Sequence, residues 1–224
     1  MRRFVRDNSL SLFFLALFVL ALLGQSIAGY NVYNQEQLEH DQPTISYLRF
    51  LVSSDFGANV LENWQSEWLQ FWLFALATVW FVQIGSNESK KQEDAGLETD
   101  ERQRVGPHAA EDAPRWAKAR DWRLTVYSYS FTIVMGAIFL ATWLGQSVTS
   151  RSIYNDEQAA HGEPESSWGT YVTSSDFWER SLQNWQSEFL AVGTMAVFTI
   201  YLRQRGSPES KPVGAPHPET GSSG

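Results

Sequence analysis

The chain has no cysteine among its 224 residues. That absence removes disulfides, thiolate nucleophiles, Cys-ligated zinc and thiol redox chemistry together. Positive charge is scarce as well. The formal net charge is −8, which argues against a basic face for nucleic acid, and no nucleic-acid partner is expected. No P-loop, nucleophile elbow, zinc-protease helix or dinucleotide fingerprint is present. Finally, four stretches lack Lys, Arg and Asp altogether: residues 9–29, 68–84, 124–148 and 189–202.

Those four stretches are apolar, and very polar segments separate them. A transmembrane helix needs about 20 mostly apolar residues to cross roughly 30 Å of hydrocarbon. The first stretch, "SLSLFFLALFVLALLGQSIAG", meets that length. The fourth is short: at 1.5 Å per residue it covers about 21 Å, so a span there draws in polar flanks or thins the bilayer. Ten tryptophans suit the headgroup layer, where a flat ring with one N–H is at home.

A signal peptide is the rival reading of the first stretch, with "MRRFVR" as the basic region and Ser26-Ile27-Ala28 as a cleavage site. The stretch is longer than the usual hydrophobic region of a signal. Its "LGQS" also recurs mid-chain at Leu144 to Ser147, so retention is expected. Lys and Arg number fourteen in the two ends and the middle loop against three in the other two loops. This places both termini and the middle loop in the cytoplasm.

The chain repeats itself at a shift of 121 residues. "NWQSE" occurs at Asn63 and at Asn184, "SSDF" at Ser53 and Ser174, "YNQEQLEH" and "YNDEQAAH" at Tyr33 and Tyr154, "GSNESK" and "GSPESK" at Gly85 and Gly206. About two-fifths of residues 9–90 are identical to their partners, without a gap. Two helices per copy make both copies enter the membrane in the same sense, as parallel repeats. The expected fold is therefore all-α: a four-helix transmembrane bundle built from two parallel two-helix repeats. The first repeat is residues 1–90 and the second 121–211. The charged linker 91–120 and the tail 212–224 lack apolar periodicity and are expected to be disordered.

Within each copy the first helix is expected to run outward past Gly29, because Tyr33, Gln37 and His40 share a face. Pro43 and Pro164 end or redirect it. "SSD" supplies an N-cap for the next helix, and Gly85 and Gly206 are natural stops.

Two clusters are candidates for chemistry. The first is a polar collar at the membrane lip: Gln25, Asn63, Gln65 and Glu67, with Gln146, Asn184, Gln186 and Glu188. A carboxylate near hydrocarbon is costly and marks a functional candidate. Two carboxylates around one axis would split their protonation, which suits proton or cation passage. The plainer alternative, which the sequence favours, is that these amides and carboxylates hydrogen-bond across helices and set the packing. The second cluster is Glu36 and His40 with Glu157 and His161. Each pair is four residues apart on one helix face, and together they form a donor set for a transition metal such as Zn, Mn or Fe. The plainer reading is an outer helix pair held by Glu–His and Tyr contacts, so no cofactor is expected. His108 and His217 are assigned no role.

The motifs "LGQS", "YNxEQxxH", "SSDF", "NWQSEFL" and "RQRGSPESK" resemble an uncharacterised family of small bacterial multi-pass membrane proteins, a domain of unknown function. The resemblance covers both halves and implies a membrane location, with no activity or site residue attached. Three function classes follow. The preferred one is a non-enzymatic module of the cell membrane that packs with itself or with a membrane-protein partner. The others are a small channel or transporter using Glu67 and Glu188, and a metal-dependent membrane enzyme using the Glu–His pairs.

Overall fold

A computed structural model of the chain describes residues 2–221. Among the described residues the regular structure is helical. The elements are α1 (Arg2–Asp7), α2 (Ser9–Glu39), α3 (Tyr47–Leu51), α4 (Ser54–Trp80), α5 (Trp122–Ser128), α6 (Ser130–Ala160), α7 (Trp168–Tyr171) and α8 (Ser175–Tyr201). Elements of the two copies match in length: α2 and α6 have 31 residues each, α4 and α8 have 27. Among the described residues two helices, α2 and α6, are long and apolar enough to cross a membrane. The sequence pattern also marks α4 and α8, but "NWQSE" sits at the middle of each and shortens the apolar run that follows.

Residues 91–120 are irregular, with two short 3-10 turns at Gln92–Asp94 and Gly106–His108. A hydrogen bond from Gly96 N to Val79 O, 2.6 Å, ties this segment to the end of α4.

The chain divides into two compact units. The first is the part up to Val60 with Val148–Ser166, and the second is Leu61–Ser147 with Ser167 onward. In the first unit Phe50 is buried beside Tyr30, Tyr33 and Phe56, at ring separations of 6.1, 5.7 and 5.5 Å. It rests on Gly29, where a Cβ would stand 3.1 Å from the Phe50 ring. In the second unit Phe139 of α6 stacks between Trp72 of α4 (5.8 Å) and Trp143 (5.7 Å). Trp143 also meets Phe177, Trp178 and Trp185 of α8. Aromatic pairs of this kind contribute about 0.5–1.5 kcal/mol each beyond the area they cover. Gly136 lets α6 approach α4, since a Cβ there would lie 2.9 Å from the Trp72 ring nitrogen.

Local chemistry explains the joints between these helices. Ser53 and Ser174 accept from the amides of Phe56 and Phe177, at 3.2 and 3.3 Å, and so satisfy free N–H groups at the starts of α4 and α8. Ser46 and Ser167 cap the short helices α3 and α7 in the same way. α4 and α8 end five residues before Gly85 and Gly206, and those glycines sit in the following turns with φ of 87° and 82°.

Candidate functional site

The second unit contains both "NWQSE" motifs. Gln65 and Ser66 are fully buried, whereas Asn63 and Glu67 are exposed. In the second motif Asn184 and Glu188 are half-buried and Gln186 is exposed. The burial therefore falls on an amide in the first copy, and neither carboxylate is enclosed. The Gln65 side-chain oxygen accepts from the Trp185 ring N–H at 2.8 Å. One motif thus binds the other directly, tryptophan of the second to glutamine of the first. Ser66 and Ser187 turn inward on their own helices and donate to the carbonyls of Asn63 and Asn184.

A second joint lies one turn closer to the helix starts. Arg180 reaches Glu62 at 3.4 Å and Asp176 at 3.1 Å, and Asp176 accepts from the hydroxyl of the fully buried Tyr171 at 2.8 Å. The equivalents of Arg180 and Glu62 in the other copies are Asn59 and Gln183. Each copy thus carries one charge where the other carries a neutral amide, a signal present in the sequence and overlooked there. Ser181, fully buried, accepts from the Trp143 ring N–H at 3.1 Å.

The two LGQS segments differ. Gln146 is completely buried in the second unit, while Gln25 is exposed in the first. Their neighbouring serines behave alike. Ser26 meets the Tyr47 hydroxyl at 2.6 Å and Ser147 accepts from the Trp168 ring at 2.9 Å. Both serines donate to the carbonyl three residues back.

The second candidate cluster lies in the first unit. Glu36, His40, Glu157 and His161 are all exposed. Nδ1 of His40 lies 2.8 Å from Glu36 O, and Nδ1 of His161 lies 2.8 Å from Glu157 O. A carbonyl only accepts, so each Nδ1–H donates and Nε2 is the nitrogen left for a ligand. Among the described residues no group of three or more His, Asp or Glu has the arrangement to hold a metal ion. The acidic residue that stands out instead is Asp55. Burial, then repulsion from Asp156, Glu36 and Glu157, holds its carboxyl above the ordinary range. Burial, followed by the charges of Asp55 and Asp156, likewise pushes the Tyr33 phenol up.

"YN" also has an architectural use. Asn34 clasps Ile45 through both its amide donor (3.1 Å) and its oxygen (2.8 Å), and Asn155 clasps Ser166 at 3.2 and 2.9 Å. Each clasp copies the bond pattern of a strand pair and closes the loop between a long helix and its short successor.

The chain matches, over residues 1–222, the family described as Domain of unknown function (DUF6766). It belongs to that family. No curated protein and no solved structure matches the chain. For this DUF6766 chain, the repeated polar motifs are thus read from their own geometry. The NWQSE motifs are joined to each other through Gln65 and Trp185, while their serines bond within their own helices.

Proposed function

We propose that this protein is a non-enzymatic module of the cell membrane, in which α2 and α6, joined by α4 and α8, form a four-helix bundle with both termini in the cytoplasm. One observation carries the reading. Large apolar side chains on every side of α2 are exposed, among them Phe13, Phe14, Leu15, Leu17, Phe18 and Leu20. Phe14 is 60% and Leu20 65% exposed. An apolar surface of that extent is strongly unfavourable in water and is stable in hydrocarbon. The 121-residue shift then makes the bundle a duplicated helix pair, and the Gln65–Trp185 bond and the Glu62–Arg180 pair act as its seams. Such a module packs with itself or with a membrane partner through its lipid-facing helices.

Membrane fractionation and reporter fusions test this. Fusions to residue 105 and to residue 160 are expected to report opposite sides of the membrane, and the protein is expected to resist alkaline extraction. A protein recovered in the aqueous phase without detergent, or fusions reporting one side, would refute the topology. Replacement of Gln65 and Trp185 tests the seam: Gln65→Leu with Trp185→Phe should loosen the bundle without abolishing insertion.

A further inference from the structure

Where α4 ends and α6 begins, the second unit encloses a cavity of about 620 Å³. That volume lies in the range of ligand cavities, about 300–1,000 Å³. Three segments build it: the last turns of α4, the linker, and the joint between α5 and α6. The bond from Gly96 N to Val79 O, 2.6 Å, holds the linker against α4, and both residues line the cavity.

The walls differ in chemistry. One is apolar, made by Leu76, Val79 and Trp80 of α4 with Leu124 of α5 and Phe131 of α6. Trp80 and Phe131 are at the same time 54% and 55% exposed, so this wall is open to the surroundings of the chain. The other wall is polar and comes from the linker, with Lys90, Glu98, Asp100 and Gln103. Asp100 and Gln103 are exposed. Ser128, Tyr129 and Thr132 add three hydroxyls from the α5–α6 joint. A cavity with one wall of each kind, both open outward, suits an amphiphile.

The charges select the headgroup. Lys90 is bonded to Glu98 at 2.9 Å and donates to Gly96 O at 3.3 Å. Gln103 donates to the same Glu98 carboxylate. The lysine charge is thereby matched, and Asp100 is the surplus. Among the described residues no salt bridge reaches Asp100, whose carbonyl is fixed in a turn by Val105 N at 3.0 Å.

We propose that this cavity holds one membrane phospholipid with a primary ammonium in its headgroup, an acyl chain along the apolar wall and the ammonium at Asp100. An anionic headgroup meets two carboxylates against a single lysine that is already bonded, whereas an ammonium completes the charge at Asp100. A primary ammonium donates hydrogen bonds to a carboxylate, and a quaternary one has no N–H to donate. The lipid phosphate has the hydroxyls of Ser128, Tyr129 and Thr132 as donors. The inference rests on the membrane reading. On that reading this end of the helices lies at the cytoplasmic headgroup layer, a place that suits the exposed rings of Trp80, Trp122 and Tyr127.

Native mass spectrometry of the full chain in detergent micelles tests the site. Phospholipids with identical acyl chains and ethanolamine, choline or glycerol headgroups are titrated in turn, and free phosphoethanolamine is added as a competitor. One ethanolamine lipid is expected to be retained about tenfold more tightly than either of the others. Free phosphoethanolamine is expected not to displace it. Asp100→Asn should remove the preference, and Asp112→Asn, a linker carboxylate outside the cavity, should leave it intact. Equal retention of the three lipids overturns the proposal, as does a preference that survives Asp100→Asn or is lost equally in Asp112→Asn. Displacement by the free headgroup also overturns it, since the chain would then contribute nothing. Alkaline extraction of the same protein from membranes separates the two readings. A chain that resists extraction yet shows no preference sinks the lipid site alone, and a chain that is extracted sinks the membrane reading with it.

Discussion

Gly85 and Gly206 occupy equivalent places in the two copies and adopt the same left-handed backbone, yet their surroundings differ. A Cβ on Gly85 would stand 2.4 Å from His217 O and 3.0 Å from the Ile200 side chain, whereas Gly206 has nothing within 4 Å. The lysines that close the same loops differ in the opposite sense. Lys211 is 1% exposed and donates to three tail carbonyls, while Lys90 donates to one carbonyl and one carboxylate and is half-buried. Local sequence made two similar loops. The tail packs against both, on the glycine of the first loop and around the lysine of the second, so each loop is enclosed at a different point.

The comparison can be broken by paired substitutions, each read as thermal unfolding in detergent. The largest contrast belongs to the glycines. Gly206→Ala meets backbone strain alone and should cost about 1 kcal/mol, whereas Gly85→Ala adds a clash and should cost about 3 kcal/mol or more. Equal costs would mean that the tail does not sit on Gly85. Next come the lysines: Lys211→Met leaves three carbonyls unsatisfied and should cost about 2–3 kcal/mol, against less than about 1 for Lys90→Met.

Gln146 and Gln25 form the third contrast. Gln146→Ala empties a fully buried position and should cost about 2 kcal/mol, while Gln25→Ala should stay within about 0.5. A fourth contrast concerns pH. Asp55 and Asp176 are equivalent, but Asp176 has Arg180 and Tyr171 as partners, and Asp55 faces other carboxylates. Because the Asp55 carboxyl is raised, its contribution falls as pH rises through its folded value. Asp55→Asn should therefore raise the neutral-pH melting temperature and flatten its fall above acid pH. Asp176→Asn should lower that temperature at neutral pH. A lower melting temperature for Asp55→Asn would remove the repulsion argument. The smallest contrast is a predicted equality: Asn34→Ala and Asn155→Ala break the same clasp and should each cost about 1–2 kcal/mol.

Much of the local architecture was legible beforehand. The extension of the first helix past Gly29 and the SSD caps follow from helical spacing and capping chemistry. These depend on residues a few positions apart. The roles inside the motifs were less accessible. Composition marked Gln65, Glu67, Gln146 and Glu188 as one polar collar, yet the structure buries Gln65 and Gln146 and leaves Glu67 exposed. A helix pattern reports which residues share a face, and the neighbour that covers that face is set by chain far away. Asn34 and Asn155 were visible as a repeated pair, but the loop each would clasp was not.

Helical content, the apolar runs and the 121-residue repeat belong to the amino-acid sequence alone, because short-range periodicity and composition determine them. Only the tertiary structure decided that Trp185 would bind Gln65, that Asn87 would bond Pro208, and that one lysine of two would be enclosed. Identical motifs acquire different partners once folding brings distant segments into contact, and a hydrogen bond or a like-charge contact depends on that final distance.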